Sequence, residues 1–230
     1  MARYNPAHAA LEATEATGMK VRELVGRSLI TGVTAASTFL VLEAIVNSVT
    51  GRGQGSAARV MHVNGSYLVA VREPGVWYDV RDFVRPNDPE VQRVVETVGT
   101  DWWDLYRYVC RNIAYRSDVG EHWFFPHETL QGHGDCEDTS FLLTSLLIGA
   151  GSSSYAVLGE YAGWGHGWVE KDRQIMETTL TEPIVVDDPQ NYRPFFFFND
   201  VVAQELWPGA LEQVMGTWRN EYAKLKFIGS

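Results

Sequence analysis

One stretch of the sequence sets a thiol at the start of a helix. Gly132-His133-Gly134-Asp135-Cys136-Glu137-Asp138-Thr139 runs straight into the apolar Phe141-Leu142-Leu143-Thr144-Ser145-Leu146-Leu147. Further on come Gly165-His166-Gly167-Trp168-Val169-Glu170 and then Met176-Glu177-Thr178-Thr179. Thiol, imidazole and carboxylate, in that order, are the parts of an activated nucleophile. A free thiol is mostly protonated at neutral pH, but unpaired backbone N–H groups at a helix start, and a nearby imidazolium, favour the thiolate. The same N–H groups can stabilise an oxyanion on an attacked carbonyl. Glycines beside both Cys136 and His166 leave room for a substrate backbone. Against this, Asp135, a good N-cap, and Glu137 and Asp138 place negative charge next to the sulfur and pull its pKa upward. The sequence leaves that balance open.

The elements that must position these residues follow from periodicity and punctuation. The apolar run after Cys136 predicts a buried helix. Tyr155–Tyr161 alternates as a strand, and residues 166–171 and 174–180 read as two more joined through Lys171-Asp172-Arg173. With Asp172 as the centre of that turn, His166 falls opposite about Thr178. Glu177 is then one residue off and needs a small shift or bulge to lie beside it. Tyr192–Asn199, with four consecutive phenylalanines, reads as a strand covered on both faces.

Upstream, Asn64-Gly65 between residues 59–63 and 66–71 is a type I′ hairpin signal. A short strand is expected within Trp77–Phe83. Asp88-Pro89 opens a helix at about Glu90–Val98, and a second runs Asp101–Ala114 with Cys110 packed inertly inside it. Residues 116–133 read as an irregular loop walling a cleft, with Trp123 and Phe124 as its aromatic sides. His62 is expected as a strand-face residue. Asn199-Asp200 suggests a short helix to Trp207, and Pro208 opens a last helix over residues 209–225.

Residues 7–25 and 29–49 read as two further helices, followed by the glycine-rich linker Thr50–Ser56. The expected organisation is an N-terminal helical extension with its linker (1–55), a core (56–200) and a C-terminal helix packed on that core (201–230). Segment 29–49 has membrane-spanning length, but Glu43, Asn47 and several Ser and Thr dilute it, so burial against the body or a partner is expected instead.

The chain has 230 residues, 45% of them hydrophobic with eight Trp, enough for a sizeable core. A formal net charge of −10 excludes non-specific nucleic-acid binding, which needs clustered Lys and Arg. Two cysteines make no disulfide framework, and no secretory signal is evident. A reducing setting, the cytoplasm or the inside of a particle, is expected. His122, His127 and His133 near the acidic run around Cys136 match no structural zinc spacing, so neither metal nor cofactor is expected.

The pattern Pro126, Glu128-Thr129-Leu130, Gly132, Gly134-Asp135-Cys136-Glu137-Asp138, then Gly165-His166 with Trp168-Val169-Glu170, then Glu177-Thr178-Thr179, resembles the transglutaminase-like superfamily. Its bacterial transglutaminase-like cysteine proteinase branch is nearest. Phe83-Val84-Arg85-Pro86 with Asp88-Pro89 and Val91, and Ile113 with Tyr115 and Asp118, extend the resemblance, which spans residues 85–199. It implies a papain-like α+β fold, a nucleophile helix packed on an antiparallel sheet. By position it makes Cys136 the nucleophile, His166 the general base and acid, and Glu177 the third member, where the superfamily more often has Asp. Substrate-side and oxyanion candidates are Trp123, Gln131, Gly134, Asp135, Gly165, Trp168 and the backbone N–H of Cys136.

Two function classes follow. The first is a cysteine hydrolase or acyltransferase acting on peptide, amide or isopeptide bonds of a protein or peptide substrate through a thioester. The second is an assembly protein of a multi-subunit particle that keeps the fold and uses residues 1–50 to self-associate or to hold a partner.

Overall fold

The computed structural model describes residues 59–117 and 122–217. The expected N-terminal extension, segment 29–49, the glycine-rich linker and residues 218–225 of the expected last helix lie outside the described residues. Within them, the architecture is α+β.

The chain first forms a small antiparallel sheet of β1 (Val60–Val63), β2 (Ser66–Val69) and β3 (Tyr78–Asp79). Asn64 and Gly65 turn β1 into β2 with φ of 51° and 80°, the left-handed pair that a type I′ turn needs. The strand expected within Trp77–Phe83 is only the first part of that stretch. Asp79 caps a 3₁₀ turn at Val80–Phe83 by accepting from the Arg81 N–H at 3.0 Å. Helices α1 (Pro89–Val98) and α2 (Trp102–Asn112) start behind the N-caps Asp88 and Asp101, whose carboxylates accept first-turn N–H groups.

α2 ends sooner than its sequence suggests. Ala114–Tyr115 becomes β4 and pairs in parallel with β5 (His133–Gly134), immediately ahead of Cys136. The stretch read as a loop contains a short helix, α3 (Pro126–Thr129). It is pinned to the segment that follows β2: Arg72 donates to both carboxylate oxygens of Glu128, at 2.7 and 2.8 Å, and to the Trp123 carbonyl at 2.6 Å.

α4 (Cys136–Gly149) is the central element. It is apolar around its circumference, so it must be buried on every side. One side carries Phe141 into a core with Phe83, Trp123, Leu158, Phe196 and Phe198. The other carries Leu142, Leu143, Leu146 and Leu147 against α1, α2 and the sheet residues Val169 and Met176.

The main sheet is antiparallel with strand order β10-β9-β6-β7-β8. Its members are β6 (Tyr155–Tyr161), β7 (Trp164–Lys171), β8 (Gln174–Met176), β9 (Tyr192–Phe198) and β10 (Ala203–Glu205). Phe195 to Phe198 are all buried, as a strand covered on both faces requires. β10 replaces the helix expected after Asn199. The Asn199 side chain accepts from the Val201 and Val202 N–H groups at 2.9 and 2.8 Å, which closes a turn and returns the chain along β9. Residues 210–217 are helical. Among the described residues no helix is long and apolar enough to cross a membrane.

Candidate active site

Cys136 is the first residue of α4, placed there by Asp135 at the N-cap and by the β4–β5 pairing that delivers Gly134. The Asp138 carboxylate reaches back to the Asp135 N–H at 3.3 Å and also accepts from the Phe124 N–H at 2.7 Å. Gly134 is where two elements touch: a Cβ there would lie 2.7 Å from Asp138 Cβ and 3.1 Å from Thr129 Cγ2. Its lack of a side chain therefore serves packing under the helix start.

β7 crosses the start of α4. A Cβ on Gly167 would fall 3.1 Å from Glu137 Cα, 3.2 Å from Glu137 N and 3.3 Å from the Cys136 carbonyl carbon. Gly167 thus lets the strand lie on the backbone of residues 136–137, and its own N–H is directed to the Cys136 sulfur. His166, one residue earlier, is brought to the Cys136 end of the helix.

The β7–β8 turn is a two-residue one. Asp172 and Arg173 both have positive φ, 49° and 68°, and Lys171 pairs with Gln174, Glu170 with Ile175 and Val169 with Met176. This register carries Glu177, just past the end of β8, to the side of the ribbon that bears His166. His166 Nε2 and Glu177 Oε2 are 2.7 Å apart without a bulge or a register shift. The expected offset came from centring the turn on one residue rather than two.

Glu177 is 6% exposed and accepts hydrogen bonds on both carboxylate oxygens. Its Oε1 accepts from the Thr179 N–H at 3.0 Å and the Thr179 hydroxyl at 2.6 Å, and its Oε2 accepts from Tyr192 Oη at 3.0 Å. Its backbone is held by Tyr106, whose hydroxyl accepts from the Glu177 N–H and donates to the Glu177 carbonyl, each at 2.8 Å. Burial, the largest influence, would raise its pKa. The hydrogen bonds and charge of His166, with the Thr179 donors, override it and hold the carboxyl at about 2. An ionised Glu177 is acceptor-only, so His166 Nε2 carries the proton and Nδ1 is the proton-accepting nitrogen of the neutral ring.

The sulfur has a different immediate partner. Cys136 Sγ donates to Glu137 Oε2 at 3.0 Å. Burial, then the charges of Glu137 and Asp135, push the thiol pKa well above its ordinary value, while the Gly167 N–H pulls the other way. Asp138 is itself pushed up by burial and by the neighbouring Asp135 charge. The acidic run therefore opposes thiolate formation, the side of the balance that the sequence had left open.

The other residues singled out in the sequence separate clearly. Trp123 and Trp168 are core side chains, at 0% and 1% exposure, and wall no cleft. Trp123 packs edge-on against Phe83 and Phe141 at 5.1 Å, and Trp168 stacks behind His166 at 6.2 Å. Gln131 is exposed and donates its amide back to the His127 carbonyl at 3.3 Å, within its own turn. Gly165 lies in β7 opposite Glu160. His127 Nδ1 meets Asp88 Oδ2 at 3.1 Å, and His122 and His133 each pack edge-on to Phe124. Cys110 is buried and its thiol is pushed up to about 12, chiefly by burial. Sequence reasoning missed Tyr106 and Tyr192, since both meet Glu177 across the fold and neither has a local signal.

No family model matches the chain, and no curated protein matches it. Solved structures similar to it include LapG of Legionella pneumophila at 12% identity, covering 62% of this chain and 98% of that one, with a TM-score of 0.36. The calcium-bound form of that protein matches at 13% identity over 58% of this chain and 98% of that one, with a TM-score of 0.38. A candidate cysteine protease from Cytophaga hutchinsonii matches at 11% identity over 49% of this chain and 42% of its own length, with a TM-score of 0.40.

Proposed function

We propose that the chain is a cysteine-dependent hydrolase or acyltransferase acting on peptide or amide bonds, with Cys136 as nucleophile, His166 as base and acid, and Glu177 as the group that orients the imidazole. The observation that supports this reading is the 2.7 Å contact between His166 Nε2 and a buried, ionised Glu177, one residue from the strand position that lies on Cys136. An ordinary surface acid and a packed histidine have no need of such an arrangement.

The chemistry follows from these groups. His166 Nδ1 takes the thiol proton as the sulfur attacks the carbonyl carbon. The tetrahedral oxyanion is met by backbone N–H groups at the start of α4, the Cys136 N–H among them. The imidazolium then gives its proton to the leaving amine, and the acyl group remains as a thioester on Cys136. Water or an amine, deprotonated by His166, resolves it. Glu177 keeps Nε2 protonated throughout and stabilises the imidazolium. Because Sγ rests on Glu137, a first event must be release of the sulfur from that carboxylate. The substrate is a protein or peptide segment.

The test is digestion of a proteome-derived peptide library by the wild-type chain and by Cys136→Ala. New peptide termini or cross-linked amines that vanish in the variant, while its circular dichroism is unchanged, are the expected result. The same product set from both proteins overturns the reading.

A further inference from the structure

Tyr192 is not among the residues that the nucleophile chemistry calls for, yet it is bonded to that machinery. It begins β9, two strands away from β7 in the sheet order. Its hydroxyl donates to Glu177 Oε2 at 3.0 Å, the same oxygen that takes the His166 Nε2 proton at 2.7 Å. Its ring is locked from several sides. It meets Trp168 edge-on at 5.2 Å, Tyr161 at 4.6 Å and His166 at 6.2 Å. The backbone ahead of it is also fixed. Asp188 accepts from Tyr161 Oη at 3.0 Å and from the Asn191 side-chain amide at 2.9 Å, so residues 188–192 are tied to β6.

Four donors thus converge on one carboxylate, two on each oxygen: Thr179 N–H and Thr179 Oγ1 on Oε1, His166 Nε2 and Tyr192 Oη on Oε2. The two Thr179 donors come from the residue next but one along the chain and already fix the carboxylate's orientation. Tyr192 adds something else. It shares the lone pairs and charge of the oxygen that His166 uses, and so limits how strongly Glu177 can hold the imidazolium proton. Burial and the Glu177 charge raise the Tyr192 pKa, so its hydroxyl stays a donor at any working pH.

We infer that Tyr192 is a positioning residue that tempers the Glu177–His166 pair, keeping the imidazolium acidic enough to return its proton to a leaving group. It touches neither the reacting sulfur nor a substrate atom and acts through Glu177. The inference rests on the reading of His166 as the base for Cys136.

The opposite alternative, that Tyr192 only packs the sheet, makes opposite predictions for Tyr192→Phe, which keeps the ring and loses the hydroxyl. If Tyr192 tempers the pair, Phe leaves Glu177 Oε2 to His166 alone. The imidazolium is then favoured, and with it the thiolate of a Cys–His ion pair. Alkylation of Cys136 by iodoacetamide at pH 7 should rise about threefold, by analogy with the size of a single hydrogen bond's effect on a neighbouring charge. The downfield proton resonance of His166 Nε2–H should also move further downfield in the full chain. Packing alone predicts alkylation unchanged, or reduced towards the level of His166→Ala, and an unmoved or broadened resonance. Either result overturns the inference. The His166→Ala control separates the two levels. If His166→Ala alkylates like wild type, the base assignment itself fails and the inference falls with it. If His166→Ala slows alkylation but Tyr192→Phe matches wild type, only the inference fails. A Tyr192→Phe protein that did not fold would show no dispersed resonances. Tyr161→Phe then serves in its place, because it releases the Asp188 tether, and should move both readouts in the same direction by less.

Discussion

His166 Nε2 lies 2.7 Å from Glu177 Oε2 although Glu177 stands beyond the last paired residue of its strand, Met176. The contact is made diagonally across the β7–β8 ribbon, and the backbone of Glu177 is fixed from outside the sheet by Tyr106. A carboxylate held this way has a folded pKa of about 2 against an ordinary 4.5, which ties it to the stability of the fold as well as to the imidazole.

Glu177→Gln should therefore lose stability in a pH-dependent way. A carboxyl whose pKa falls on folding stabilises the protein fully above its unfolded pKa. That stability is lost as pH drops through the folded value. The stability difference between wild type and Glu177→Gln should be flat above pH about 5, at up to about 3 kcal/mol, and shrink between about 4.5 and about 2. Urea denaturation at a series of pH values reads it. A difference that stays constant down to the lowest pH would contradict an ionised, bonded Glu177.

Glu137→Gln should make the Cys136 thiol more reactive. The carboxylate that accepts the Cys136 thiol proton at 3.0 Å also opposes the thiolate by its charge. An amide of the same shape removes the charge, and the thiol pKa should fall. Iodoacetamide should modify Cys136 about tenfold faster at pH 7, one pKa unit being a tenfold change in thiolate. An unchanged rate would mean that the Glu137 charge does not set the thiol pKa.

Gly167→Ala tests the contact that brings β7 onto the helix start. The atoms a methyl group would meet, at 3.1 to 3.3 Å, are the backbone of Cys136 and Glu137, which cannot swing aside as a side chain would. A loss of about 1–3 kcal/mol is expected from overpacking, together with a loss of His166-dependent reactivity at Cys136. Thermal melts and alkylation rates measured on the same sample check both. A variant as stable and as reactive as wild type would show that strand and helix are not in contact there.

Much of this was legible in the sequence where the signal was local. The Asn64-Gly65 turn, the capped starts of α1 and α2, the apolar α4 with Cys136 at its head and the strands β6, β7 and β9 all carry their cause within a few residues. What failed depended on distant partners. Asn199 can cap a helix or close a turn with the same side-chain oxygen, and the open edge of β9 selects the turn and β10. Trp123 and Trp168 stand near Cys136 and His166 in sequence, but their burial depends on Phe83, Phe141 and Tyr192 from other elements. The order of thiol, imidazole and carboxylate was readable. That Glu137 engages the sulfur first was not, because neighbouring residues on a helix start can point anywhere until β7 closes over them.

The most direct test of the account is the pH dependence of Cys136 alkylation by iodoacetamide, read by peptide mass spectrometry in wild type and in His166→Ala. Cys110, buried and with its thiol pushed up to about 12, serves as the internal control. Cys136 should react well ahead of Cys110, and His166→Ala should slow it at least about tenfold near neutral pH and move its profile to the alkaline side. Equal, slow modification of both cysteines, indifferent to His166, would contradict it.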